Sequence, residues 1–150
     1  MAEIQKISLD GWKLEVNTGT VDVPVWTQVK GLRTMRLVVD PTTQDTTTYD
    51  SEGWGSDYTT LRKWRIEVEG IEGFTGNYVR DPGQVALKAR GKLIGADAEI
   101  GIRFSREDPD EGYQGTAAAD WAGTGGEITA MTPFNCTLKG QGNLSDYTPA

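Results

Sequence analysis

The sequence predicts a mainly β protein, with about seven strands and one helix. Three observations carry that expectation. Apolar and polar residues alternate with a period of two in the runs long enough to show one. Glycine is abundant, 19 residues in 150, and punctuates those runs at strand-length intervals. β-Branched and aromatic residues, among them 5 tryptophans, fill the alternating positions. The length suits one domain around one core, covering residues 1–150.

Each element follows from its local pattern. Trp12, Leu14 and Val16 alternate with Lys13 and Glu15, and Asn17-Thr18-Gly19 is a turn signal. Val25, Thr27 and Val29 alternate with Trp26, Gln28 and Lys30. After Gly31, Met35, Leu37 and Val39 form another set that ends at Asp40-Pro41. Residues 25–39 are therefore one or two strands, bent near Gly31. From about residue 41 to 60 no period holds, and the expectation is a long loop. Its Tyr49, Trp54 and Tyr58 argue against plain disorder, which is poor in aromatics.

Residues 62–70 give the clearest strand, with Trp64, Ile66 and Val68 opposite Lys63, Arg65, Glu67 and Glu69. Arg80-Asp81-Pro82-Gly83-Gln84 then opens a helix. Asp81 caps it, and Pro82 suits the first helical position because its missing N–H has no partner there anyway. Val85, Ala89 and Leu93 form one stripe, expected to pack on a sheet. Gly91 weakens this helix by about 1 kcal/mol relative to alanine, and Gly95 is a stop signal. Ala98, Ile100, Ile102 and Phe104 alternate with Glu99, Gly101, Arg103 and Ser105. Residues 113–121 and 134–142 are the last two strands, with a weaker run at Ile128-Thr129-Ala130-Met131 between them. There is no internal repeat, and the tail NLSDYTPA is expected to be exposed.

Composition excludes several function classes. The chain has 15 basic and 22 acidic residues, a net charge of −7, which argues against a surface that grips nucleic-acid phosphates. Histidine is absent, and with it the commonest general base and metal ligand. The single Cys136 forms neither an intrachain disulfide nor a multi-cysteine zinc site. No nucleophile motif is present and no spacing singles out a carboxylate pair, so the expectation is a non-enzyme without cofactor. Asp108-Pro109-Asp110-Glu111-Gly112 clusters oxygen ligands as calcium sites do, but lacks the rest of an EF-hand loop; a solvated acidic turn accounts for it. No run approaches the roughly 20 apolar residues of a membrane span. The opening MAEIQKISLDGW has no apolar signal segment, so synthesis in the cytoplasm is expected.

Two kinds of exposed feature remain. Trp26, Trp54 and Tyr58 suit either a subunit interface, where aromatics concentrate, or the stacking of sugar rings in a monomeric carbohydrate-binding β-sandwich. Glu67 and Glu69 share the polar face of one strand, and Glu99 is expected on a neighbour. That face is either simply solvated or a wall that repels phosphate.

An ordered set of motifs resembles a known family. It comprises Val25-Trp26-Thr27-Gln28-Val29-Lys30-Gly31-Leu32, then Thr47-Thr48-Tyr49-Asp50-Ser51-Glu52-Gly53-Trp54, then Arg80-Asp81-Pro82-Gly83-Gln84. Gly112-Tyr113-Gln114-Gly115, leading to Trp121, and Cys136-Thr137-Leu138-Lys139-Gly140-Gln141-Gly142 complete it. The chain resembles the major tail tube protein of long-tailed (siphovirus-type) bacteriophages, in the form common among phages of actinobacteria.

The resemblance implies two packed antiparallel β-sheets, sandwich- or barrel-like, with one flanking helix. It implies a virion protein of the viral tail: a homo-oligomer whose hexameric rings stack into a tube. Four strands per subunit would join across the ring into a closed barrel around the lumen. The lumen would hold the tape-measure protein and then pass DNA without specific binding; tail terminator and tail-tip proteins would be further partners. On this reading the 41–60 segment reaches a neighbouring subunit or ring. Trp26, Tyr49, Trp54 and Tyr58 are contact residues, Gly53 and Gly55 let the backbone turn beside Trp54, and Asp50 and Ser51 cap local amides. Glu67, Glu69 and Glu99 are the candidates for the lumen wall, a face they would share with Arg65 and Arg103.

Overall fold

The computed structural model describes residues 11–75, 79–106, 110–126 and 131–148. The strands are β1 (Lys13–Asn17), β2 (Trp26–Gln28), β3 (Leu32–Asp45), β4 (Asp57–Ile71), β5 (Phe74–Thr75), β6 (Val79–Arg80), β7 (Glu99–Arg106), β8 (Glu111–Trp121) and β9 (Pro133–Asp146). One helix, α1 (Pro82–Gly91), lies between β6 and β7. Seven strands form one antiparallel sheet in the order β2-β1-β7-β8-β9-β4-β3, and β5 pairs with β6 alone. The expected mainly β chain with one flanking helix is thus present, but the two expected sheets are one continuous hydrogen-bonded ladder. The weak run at 128–131 falls largely on residues 127–130, which lie outside the described residues.

That ladder must curl. Its two edge strands, β2 and β3, are joined by Val29, Lys30 and Gly31 alone. Four Cα steps from Gln28 to Leu32 span at most about 15 Å. In a flat sheet of seven strands the edges would lie about 29 Å apart. The sheet therefore bends until its edges approach, and its two halves face each other across one core. Gly142, at φ 84°, and the register shift between Gln114 and Thr116 mark the bend in the β8–β9 pair.

Within the body of the sheet, register places the large apolar side chains of neighbouring strands together on the inside. Leu14 lies opposite Phe104, Phe104 opposite Tyr113, Ala119 opposite Leu138, Leu138 opposite Ile66, and Ile66 opposite Leu37. Leu14, Val16, Ile66, Ile102, Phe134 and Leu138 are wholly buried. Each contributes about 1.5–3 kcal/mol relative to exposure. A one-residue slip in any strand would turn its whole set to water, so the alternation fixes the register.

The motif Arg80-Asp81-Pro82-Gly83-Gln84 holds the crossover between the two edges. The Asp81 carboxylate accepts from the Gln84 amide, capping α1, and from the Lys30 amide, each at 3.1 Å. The Gln84 side-chain amide donates to the carbonyls of Lys30 (2.6 Å) and Ile71 (3.0 Å). Both residues are buried, so these bonds form away from water and leave few polar atoms unpaired. Gly83 is required by contact, since a Cβ there would fall 2.7 Å from the Cα of Val29.

This anchoring reverses the expected facing of the helix. Leu87 is buried and Gly91 lies against Trp121, where a Cβ would fall 2.5 Å from that of Trp121. The stripe Val85, Ala89 and Leu93 points instead to solvent. Asp81 and Gln84 fix the rotation of the helix about its axis, and that outweighs the burial of three apolar side chains. The helix ends at Gly91, before the expected stop; Gly95, at φ 64°, opens the short 3₁₀ turn Gly95–Ala98.

Candidate assembly interface

The expected loop at 41–60 is mostly a β-ribbon. β3 and β4 stay paired as far as Asp45 and Asp57, with one bulge between Thr42 and Thr43. From Val39 outward and from Lys63 back, every described side chain is exposed apart from the partly covered Thr46 and Ser56. No alternation marks this stretch because neither of its faces meets the core. Pro41 fits because β3 is an edge strand, where a missing donor is tolerated.

The neck of the connecting turn is tied by short polar side chains. The Thr46 amide donates to the Ser56 carbonyl (2.7 Å), and the Ser56 amide donates to the Thr47 hydroxyl (2.8 Å). The Asp45 carboxylate accepts from the Thr47 amide at 2.8 Å; hydrogen bonding from Thr47 holds its pKa below the usual value. Asp45, Thr46 and Thr47 thus tie the neck of the turn. Asp50 is exposed, and the side chain of Ser51 lies outside the described residues. Beyond a 3₁₀ turn at Tyr49–Ser51, Glu52 (φ 55°) and Gly53 (φ 87°) reverse the chain. Gly55 has open space, with only the Thr47 hydroxyl within 4 Å of a Cβ there. Tyr49 is fully exposed, Trp54 is 79% exposed and Tyr58, on the β4 leg, 67%.

The outer face of the sheet carries mixed charge. Glu67 and Glu69 share this face with Arg36, Thr34, Thr137 and Asn135 on the flanking strands. Glu67 is paired with the Arg65 guanidinium at 3.0 Å, and Arg65 also pairs with Asp40. Lys139 pairs with Asp120 at 3.3 Å. Glu99 lies on the same face, but three strands away from β4 rather than on its neighbour. At the far edge, Trp26 is half-buried over Gly101. One of its faces is taken by the Arg103 guanidinium, 3.9 Å from the ring centroid, and Tyr147 also packs against Arg103 at 4.3 Å. Trp26 is thus a packed residue on β2, apart from the exposed aromatics of the arm.

Among the described residues no group of three or more His, Cys, Asp or Glu is placed to hold a metal ion; residues 107–109 of the acidic turn lie outside them. No described helix is long and apolar enough to cross a membrane.

No protein-family model matches this sequence, and no curated protein matches it. Solved structures do. One is a chain in the tail of an empty gene transfer agent particle, refined helically with C6 symmetry. It aligns at a TM-score of 0.68 and 16% identity, over 93% of this chain and 98% of that one. Another belongs to the virion of a native gene transfer agent particle, at a TM-score of 0.65 and 17% identity, over 95% of this chain and 99% of that one. The chain thus shares its overall fold with these chains of gene transfer agent particles, matched over nearly the whole length of both partners.

Proposed function

We propose that this chain is the repeating subunit of a viral tail tube: six copies close into a ring, and rings stack into a hollow tube. The observation that carries the reading is the arm. A two-stranded ribbon is marginal in water on its own. This one projects with exposed Tyr49, Trp54, Tyr58 and Leu61, as a segment does when a second molecule covers it. The unpaired edge of β3 also calls for a partner. The C6 symmetry of the similar tail supports six copies, joined by head-to-tail contacts that close by rotation.

In this assembly the outer face bearing Glu67, Glu69 and Glu99 lines the lumen. The wall holds the tape-measure protein during assembly and later passes DNA, with terminator and tip proteins closing the ends of the tail. DNA carries one negative charge per about 1.7 Å of its axis, so a basic wall would trap it. Here Arg65 and Lys139 are paired with Glu67 and Asp120, and Glu69 and Glu99 offset Arg36 and Arg103 on the same face, so the wall is not basic. The protein acts without catalysis or cofactor, and its place is the virion tail, reached after synthesis in the host cytoplasm.

Negative-stain electron microscopy of the concentrated protein tests the reading. Rings or tubes with a central channel are expected. A protein that stays monomeric, and whose tryptophan fluorescence responds to an oligosaccharide, overturns it in favour of sugar binding. For the wall, Glu67→Lys with Glu69→Lys is expected to assemble normally but to eject DNA poorly. Normal infectivity of that variant removes the lumen assignment.

A further inference from the structure

The solvent side of α1 exposes apolar side chains. Val85 is 46% exposed, Leu93 is 47% and Ile94 is 87%, with Ala89 exposed between them. Val85 and Ala89 on α1, with Leu93 and Ile94 just beyond its end, make an exposed apolar patch, and the helix carries no acid except the buried cap Asp81. Lys88 and Lys92 flank the patch on one side and Arg90 on the other. Lys88 is engaged with Glu72, and Arg90 donates to the Asp97 carbonyl at 3.1 Å. Lys92 is exposed, its ammonium near the Trp121 ring. Beside Val85 opens a cavity of about 170 Å³, lined by Glu72, Arg80, Gln84, Lys88 and Thr132. A cavity of about 150 Å³ accepts a benzene ring, so this one has room for an aromatic side chain.

The arm tip has the complementary character. Residues 45–57 contain Asp45, Asp50, Glu52 and Asp57 and no lysine or arginine, and they present Tyr49 and Trp54 to solvent. One surface is apolar and basic with a cavity; the other is aromatic and acidic on a projecting ribbon. Within one chain they belong to different ends of the fold: the tip lies beyond the paired ends of β3 and β4, whereas α1 is fixed by Asp81 and Gln84 at the base of that same pair.

We propose that the solvent face of α1 is the receptor for the arm tip of a second copy of this chain. Trp54 of one copy enters the cavity beside Val85 of the next, and Glu52 faces Lys92. The contact is heterologous, so each copy gives one arm and receives one. Opposite charges at the rim set orientation and speed encounter, while the buried aromatic carries most of the affinity. This assignment rests on the tube reading above and adds the receptor that the reading leaves open.

Charge reversal with rescue tests it. Lys92→Glu, Glu52→Lys and the double variant are assembled beside the wild type and measured by pelleting and electron microscopy. Each single variant is expected to raise the protein concentration needed for tubes by about tenfold, and the double variant to return within about twofold of wild type. Circular dichroism of the unassembled variants is expected to match wild type, since both positions are exposed. Single variants that assemble like wild type, or a double variant no better than the singles, overturn the receptor assignment while leaving the tube reading in place. Absence of rings or tubes from the wild type overturns both.

Discussion

Trp64 and Gly142 are joined across the β4–β9 pair: the indole N–H of Trp64 donates to the Gly142 carbonyl at 3.1 Å. The ring lies over Gly140 and Gly115, and a Cβ at position 115 would fall 2.9 Å from it. One buried aromatic thus spans three strands at the point where the sheet bends. Gly115→Ala is expected to destabilise the fold by about 1–3 kcal/mol through overpacking, and Gly140→Ala by more, because its Cβ meets the centre of the indole. Chemical denaturation of the two variants checks this; equal midpoints for Gly140→Ala and wild type would show that the ring yields freely.

Asp81 serves two segments that lie 51 residues apart, the start of α1 and the crossover at Lys30. Asp81→Ala removes the helix cap and leaves the Lys30 amide without its acceptor. The expected loss is about 2–4 kcal/mol. Asp81→Asn keeps an acceptor and is expected to recover more than half of it. Thermal melts of the pair separate loss of the acceptor from a general effect of mutation.

Trp54 touches nothing that the monomer needs. Trp54→Ala is expected to leave the unfolding free energy within about 0.5 kcal/mol of wild type and to abolish tube formation. Melting of the monomer and electron microscopy of the concentrated protein read the two halves independently. Tubes of normal length from the variant would remove Trp54 from the interface.

Cys136 is buried between β4 and β8, and burial pushes its thiol pKa from 9.0 up to about 11. The folded state holds this proton more tightly than the unfolded chain. The associated stability is fully present below pH 9 and is lost as pH rises through about 11. Comparing denaturation midpoints from pH 8 to 11 for wild type and Cys136→Ala isolates the effect: the wild type should fall more steeply. At pH 8 iodoacetamide should label the folded protein far more slowly than the unfolded chain.

Strand periodicity made most of the fold legible. Leu14/Val16, Ile66/Val68 and Ile100/Ile102 each announce an inward face, because a half-buried strand must alternate. The Asp81 cap and Pro82 were equally plain, since helix starts are decided by local hydrogen bonding. The arm was not legible as strand. Its residues 41–45 and 57–61 pair with each other but bury nothing, so the hydrophobic signal that marks strands is absent. Its aromatics alone, Tyr49, Trp54 and Tyr58, set the segment apart from a plain loop, and all three are exposed.

The facing of α1 and the grouping of the acids needed the tertiary structure. Val85, Ala89 and Leu93 form a regular stripe in sequence, yet hydrogen bonds from the Lys30 amide to Asp81 and from the Gln84 side chain to the Ile71 carbonyl turn that stripe outward. Those bonds link residues 51 and 13 positions apart, beyond the reach of any local period. Glu99 likewise shares a face with Glu67, but strand order, not spacing along the chain, sets it three strands away. The sequence by itself determined which residues alternate and where the helix begins, because each depends on near neighbours. Only the tertiary structure decided that one sheet curls on itself, that two long strands continue as an arm and which side of the helix meets water. Those outcomes depend on contacts between segments that the chain brings together only when it folds.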